Sequence, residues 1–172
     1  RDRGIAEVVQ ASIVDLDVRP RSVGAIGMFD VLEHIEADVA ALRRLGEMLV
    51  DGGKIYLTVP SHRWLWSSAD VQAGHFRRYT RTQLTDVLRR AGFEVQFASY
   101  FFWPLPLPMF LVRCLPERLG LRKGESRARR VTREHGADRG RASKVLAPEV
   151  RRLRRGARVR FGASTIAVAV RR

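Results

Sequence analysis

Apolar residues along this chain change period several times, and each change marks an element. Val8 to Leu16 (VVQASIVDL) reads as a short strand with its exit, and the Arg19-Pro20-Arg21-Ser22 cluster as a loop. Val23 to Phe29 predicts a second strand, apolar on both faces and so expected in the sheet interior. Helical spacing follows: Val39, Leu42, Leu45 and Leu49 place a helix over 37–49, stopped by Asp51-Gly52-Gly53. Lys54 to Val59 (KIYLTV) predicts a third strand, closed by Pro60.

A polar-aromatic loop runs from Ser61 to Tyr79. Thr80 with Gln83 three residues on has the form of a capping box, opening a helix that buries Leu84, Val87 and Leu88 and ends at Gly92. Phe93, Val95 and Phe97 alternate with Glu94, Gln96 and Ala98, the period of a half-exposed strand. Beyond the Pro-rich segment 104–108, the basic stretch 117–160 holds a helical piece at Glu149 to Arg155, while residues 122–144 read as poorly ordered. Ser164 to Val170 (STIAVAV) is a last strand. Strand–helix alternation predicts an α/β fold with a parallel sheet covered on both faces, and a final strand inserted antiparallel near the edge.

With 172 residues the chain has room for the core of one domain. One cysteine, Cys114, excludes a disulfide framework and a multi-cysteine metal site. No signal peptide is evident, and the apolar stretch from Phe101 to Val112 is too short, and too rich in proline, to span a bilayer. A cytoplasmic location is expected. The net charge of +14 is uneven: residues 111–172 carry 19 basic and 5 acidic groups, against 7 and 10 in residues 1–60. A basic tail attracts nucleic acid or anionic lipid, although 29 arginines against 3 lysines also has the look of a compositional habit.

Candidate chemistry concentrates at Asp30-Val31-Leu32-Glu33-His34-Ile35, where a strand turns into a helix. Open α/β sheets bind ligands at such strand ends. With Phe29 before it, this run resembles the FDVLEH-type motif of class I S-adenosylmethionine-dependent methyltransferases. Further matching pieces are Leu49-Val50-Asp51-Gly52-Gly53, Val59-Pro60, Trp64-Leu65-Trp66-Ser67, Gly74-His75-Phe76-Arg77-Arg78-Tyr79-Thr80, Ala91-Gly92-Phe93 and Phe161-Gly162-Ala163-Ser164. Their order and spacing over 8–110 and 161–172 make the resemblance specific.

The resemblance implies a partial Rossmann-like sheet, strands 3-4-5-7-6 of the family order 3-2-1-4-5-7-6, with strand 7 antiparallel. Residues 1–116 would form the core of a truncated domain, 117–160 a basic variable insertion, and 161–172 the final strand. The glycine-rich turn that grips the cofactor in this family has no counterpart here, so the chain is expected to be a C-terminal portion that binds S-adenosylmethionine weakly by itself. By resemblance, Ser12 and Ile13 lie against the adenine, serine replacing the usual acid, and Phe29 and Asp30 meet the amino-acid end. His34, His75 and Tyr79 are the expected catalytic group on the acceptor side, and the acceptor a small or lipid-like molecule. Nucleic acid is not an expected partner, whereas peripheral membrane contact is compatible with the Tyr100 to Pro108 run. Two rival readings remain open: a non-catalytic remnant holding nucleic acid or anionic membrane by its tail, and a metal-dependent RNA methyltransferase. The second arises because Asp30-x-x-Glu33-His34 is similar to the acid-x-x-Glu-His metal site of small-RNA terminal and some quinone-pathway enzymes. Asp30 is shorter than the usual glutamate and a further ligand, such as His75, is needed, so the sequence assigns no metal.

Overall fold

The computed structural model describes residues 10–13, 16–121 and 139–172. Its centre is a four-stranded sheet: β1 (Val23–Phe29), β2 (Leu49–Pro60), β3 (Phe93–Phe101) and β4 (Ser164–Arg171), ordered β1-β2-β4-β3. β1 and β2 run parallel, with Ile26 opposite Ile55 and Phe29 opposite Thr58. β4 is antiparallel to both β2 and β3, so the last strand inserts between its predecessors, as the resemblance implies for strands 4-5-7-6. The expected first strand has no counterpart among the described residues. Val8 and Val9 fall outside them, and Gln10 to Ser12 belong to no strand.

β1 is at the sheet's edge, not in its interior. Met28 is buried, but Ala25, Gly27 and Phe29 on the other face are exposed. The same holds across β2, where Ile55, Leu57 and Val59 are buried and Lys54 and Tyr56 are not. The expectation of a sheet covered on both faces is therefore corrected for the described residues. β2 has the period-two pattern of a half-covered strand, which its KIYLTV sequence already carries.

The covered face packs on α1 (Asp38–Met48) and α3 (Arg81–Arg90), whose Leu42, Leu45, Leu84 and Leu88 join Ile55, Leu57, Ala167 and Ala169 in one core. The α3 capping box forms as expected: Thr80 Oγ1 accepts from the Gln83 amide, and Gln83 Oε1 accepts from the Thr80 amide at 2.9 Å. The Ser61 to Tyr79 segment is more ordered than a loop. It holds a 3-10 turn (Arg63–Leu65) and the short helix α2 (Ser68–Ala73), because Ser67 and Asp70 form a second capping box.

After β3 the Pro-rich run is helical: α4 (Pro106–Met109), a π turn (Phe110–Cys114) and α5 (Leu115–Arg118) continue one another. Proline at the first position of α4 is compatible with helix, since that amide has no partner within the turn. Helix α6 (Arg139–Arg154) starts earlier than the expected 149. It is clamped to the sheet, since Glu149 is buried and accepts from the amides of Phe102 and Trp103, each at 2.8 Å. Among the described residues no helix is long and apolar enough to cross a membrane.

Candidate functional site

The carboxyl ends of β1 and β2 meet at one rim. β1 ends in Phe29, 63% exposed, whose ring folds back over Gly27 so closely that a Cβ there would press on it. Asp30 follows with a left-handed backbone (φ 53°), a conformation aspartate tolerates better than most residues. It is held there by Thr58: the Asp30 amide donates to the Thr58 carbonyl at 3.0 Å, and Thr58 Oγ1 donates to Asp30 Oδ1 at 3.1 Å. This reversal throws the chain into a 3-10 turn, Leu32–His34, instead of running straight into α1.

That turn sends Glu33 inward and His34 outward. Glu33 is 1% exposed, and burial pushes its carboxyl above the usual range, with its own backbone amide opposing part of the rise. His75 comes from the segment after α2, where the Phe76 amide donates to the Glu33 carbonyl at 2.8 Å and fixes the two strands of chain together. The His34 and His75 rings meet edge to face, centroids 4.6 Å apart. His75 Nε2 lies 4.0 Å from Glu33 Oε1.

Asp70 builds the support behind His75. Its Oδ1 lies 2.9 Å from His75 Nδ1, and the Arg78 guanidinium grips both its oxygens, at 2.7 and 3.1 Å. Burial works to raise the Asp70 carboxyl, but Arg78, His75 and the Ser67 amide outweigh it and hold the group below the ordinary carboxylate range. The Asp70 carboxylate accepts a hydrogen bond from Nδ1–H, and in that neutral tautomer the Nε2 lone pair of His75 faces Glu33.

The structure thus brings His34 and His75 together, and places Phe29 and Asp30 at the same strand end. Tyr79 stands apart from the two histidines: it is 2% exposed, its hydroxyl donates to Asp38 Oδ2 at 2.9 Å, and with Asp38 it borders a separate cavity. Burial first, and then Asp38, push its phenol far above its usual value. Ile13 packs against the hydrophobic core, and Ser12 is exposed. Arg77 is taken up by Asp38 and the Glu36 carbonyl, and Arg78 by Asp70 and the Ser61 carbonyl. A cavity of about 580 Å³ opens beside Asp38, Arg63, Trp66 and Arg90; Glu33, His34 and His75 do not line it.

Sequence reasoning missed Asp70 and His62. The signal for Asp70 was the Ser67-x-x-Asp70 spacing of a capping box. His62 has no such signal: it stacks on Tyr100 (centroids 4.9 Å apart) and meets Phe161 at a tilt (5.1 Å), and only the tertiary fold puts these rings together.

Comparison with known proteins fits this architecture. The profile of a methyltransferase domain matches residues 4–96. No curated protein matches the chain. Solved structures of similar fold include phosphoethanolamine N-methyltransferase 2 of Haemonchus contortus, bound to S-adenosyl-L-methionine (15% identity, 93% of this chain and 36% of that one, TM-score 0.52). Others are S-adenosylmethionine-dependent methyltransferases of Mesorhizobium loti (14%, 94% and 68%, 0.52) and of Archaeoglobus fulgidus (14%, 99% and 70%, 0.53). Across eight such structures the chain spans 36% to 70% of the other protein's length, and under two thirds of five of them.

Proposed function

The chain belongs to the methyltransferase-domain family, and from that premise we propose that the protein transfers the methyl group of S-adenosylmethionine to a small or lipid-like acceptor. The observation that supports this reading is the rim itself. Phe29 and Asp30 end a parallel strand beside His34 and His75, at the sheet position where α/β folds bind ligands.

The donor set fits one flank of such a cofactor. The exposed face of β1 is smooth, being made of Ala25 and Gly27, and the Phe29 ring over Gly27 offers an apolar surface at its end. Phe29 and the Asp30 backbone would hold the amino-acid end, with Ser12 and Ile13 toward the adenine. The Asp30 carboxylate is already engaged by Thr58, so its part is to fix the backbone. Bound there, the cofactor supplies an activated methyl on sulfur, and the protein's contribution is alignment. His34, exposed at the rim, takes a proton where the acceptor carries one, and the edge of the His75 ring holds it in place. Because only one flank is built from described residues, weak binding by the isolated chain is expected.

The test is ultraviolet cross-linking of methyl-labelled S-adenosylmethionine to the protein, mapped by mass spectrometry. It is paired with an assay for S-adenosylhomocysteine over a panel of amine, hydroxyl and lipid-like acceptors. Label in segment 23–35 and turnover that falls in His34→Ala support the reading. Label confined elsewhere, or no turnover with any acceptor class, overturns it.

A further inference from the structure

His75 Nε2 and the Glu33 carboxyl face one another at the rim, 4.0 Å apart and outside hydrogen-bond reach. The Nδ1 of His75 is committed to Asp70, so its Nε2 presents a lone pair toward the buried Glu33 carboxylate 4.0 Å away. The other carboxylate oxygen, Glu33 Oε2, is buried and has no hydrogen-bond partner at all. A buried carboxylate oxygen without a partner is unfavourable unless a proton or a cation satisfies it.

We propose that Glu33, His34 and His75 bind a divalent transition-metal ion. One ligand atom from each residue lies within 4.8 Å of the other two. Ligands around a tetrahedral zinc sit about 3.3 Å apart, from bonds of roughly 2.0–2.1 Å. Rotation of the exposed His34, with a small closing of the 4.0 Å between Glu33 Oε1 and His75 Nε2, brings the three ligand atoms into that range. Two imidazoles and one carboxylate select a borderline ion such as Zn²⁺ or Co²⁺ over Mg²⁺ or Ca²⁺, which prefer all-oxygen sites. Asp70 completes the arrangement from behind: a carboxylate on the far nitrogen sets the tautomer and raises the basicity of a ligating histidine. Arg78 holds that carboxylate in turn.

The lone pair by which His34 ligates an ion is the one by which it accepts a proton, so the two occupants compete there. Binding of the ion itself does not depend on methyl transfer, and each is measured without the other.

The experiment strips the full chain with a chelator, dialyses it, and titrates Zn²⁺ by calorimetry and Co²⁺ by its d–d absorption, with Mg²⁺ as comparison. One strong Zn²⁺ site is expected, with a cobalt spectrum of low coordination number and no heat from Mg²⁺. Glu33→Gln and His34→Ala each weaken Zn²⁺ at least tenfold; His34 is exposed, so its loss leaves the fold intact, checked by circular dichroism. Asp70→Asn, which reaches the ion through His75 and whose fold is checked in the same way, weakens it by roughly 10–100-fold. A folded chain that binds neither ion overturns the proposal, the gap then being filled by a proton. So does zinc binding that both His34→Ala and Glu33→Gln leave unchanged.

Discussion

The Tyr79 hydroxyl donates to Asp38 Oδ2 at 2.9 Å and so ties the segment before α3 to the first turn of α1. Asp38 is shared: Arg77 Nη1 reaches the same oxygen at 2.9 Å, and Oδ1 accepts from the Val39 amide at 2.7 Å. Tyr79→Phe removes one bond and leaves the carboxylate its other two partners, so a loss of about 1 kcal/mol is expected. Asp38→Ala strands a buried hydroxyl and costs more, about 2–3 kcal/mol. Urea denaturation of the two variants checks the ordering. Equal costs would show that the tyrosine proton is satisfied some other way.

His62 makes stability depend on pH. Its imidazole stacks on Tyr100 and packs at a tilt against Phe161, and its Nε2 is buried without a hydrogen-bond partner. Burial holds its pKa below 6.5, the Gly162 carbonyl opposing and Arg78 reinforcing the shift. The unfolded chain therefore binds this proton more readily than the folded one, and stability rises with pH across the window. The contribution is complete above about pH 6.5 and is lost as pH falls from there through the folded pKa. Thermal melts should show the midpoint dropping from about pH 7 to about pH 5, and a smaller drop in His62→Phe. An identical pH profile in that variant would assign the dependence to another group.

Much of this molecule was legible because its signals are local. The α3 capping box at Thr80 and Gln83, the apolar spacing of α1 and the STIAVAV run of β4 each state their own structure within ten residues. β1 misled for a physical reason. A strand rich in Gly and Ala looks apolar on both faces, yet small residues need no cover, and Gly24, Ala25 and Gly27 are exposed at the edge. The site was half legible. His34 and Phe29 sit in one continuous run, whereas Asp70 behind His75, and the burial of Glu33, depend on chain that returns some forty residues later. The burial of Tyr79 was not legible, since an aromatic beside arginines reads alike whether it is exposed in a loop or packed against Asp38.

Gly162 is required by a close approach. Its backbone passes so near Phe101 that a Cβ would collide with the Phe101 carbonyl group. The neighbouring Ala163 carbonyl accepts from the Ser61 amide at 2.8 Å, so the entry to β4 is pinned on both sides and has little room to shift. Gly162→Ala is expected to cost about 2 kcal/mol or more, in the range of overpacking. Comparison with Gly156→Ala, at a positive φ but in open space, separates collision from backbone strain. A milder effect at 162 than at 156 would mean that β4 moves aside freely.

Glu149 decides whether α6 belongs to the domain. Phe102 has a left-handed backbone (φ 61°), which costs an ordinary residue roughly 1–2 kcal/mol. What holds it is the Glu149 carboxylate, whose two oxygens each accept one amide, from Phe102 and from Trp103, at 2.8 Å. Glu149→Gln keeps one acceptor and turns the other atom into a donor aimed at an amide. Glu149→Ala leaves two amides without partners, and about 2–4 kcal/mol of destabilisation follows. The effect is local before it is global. Amide exchange at Phe102 and Trp103 should speed up well before that of the β2–β4 ladder, and the half-exposed Trp103 indole should change its fluorescence as α6 lifts away. If exchange at those two amides is unchanged in Glu149→Ala, the turn is held by β3 and β4 alone. The basic helix would then be an appendage, and its arginines would be free to serve a surface that the domain itself does not shape.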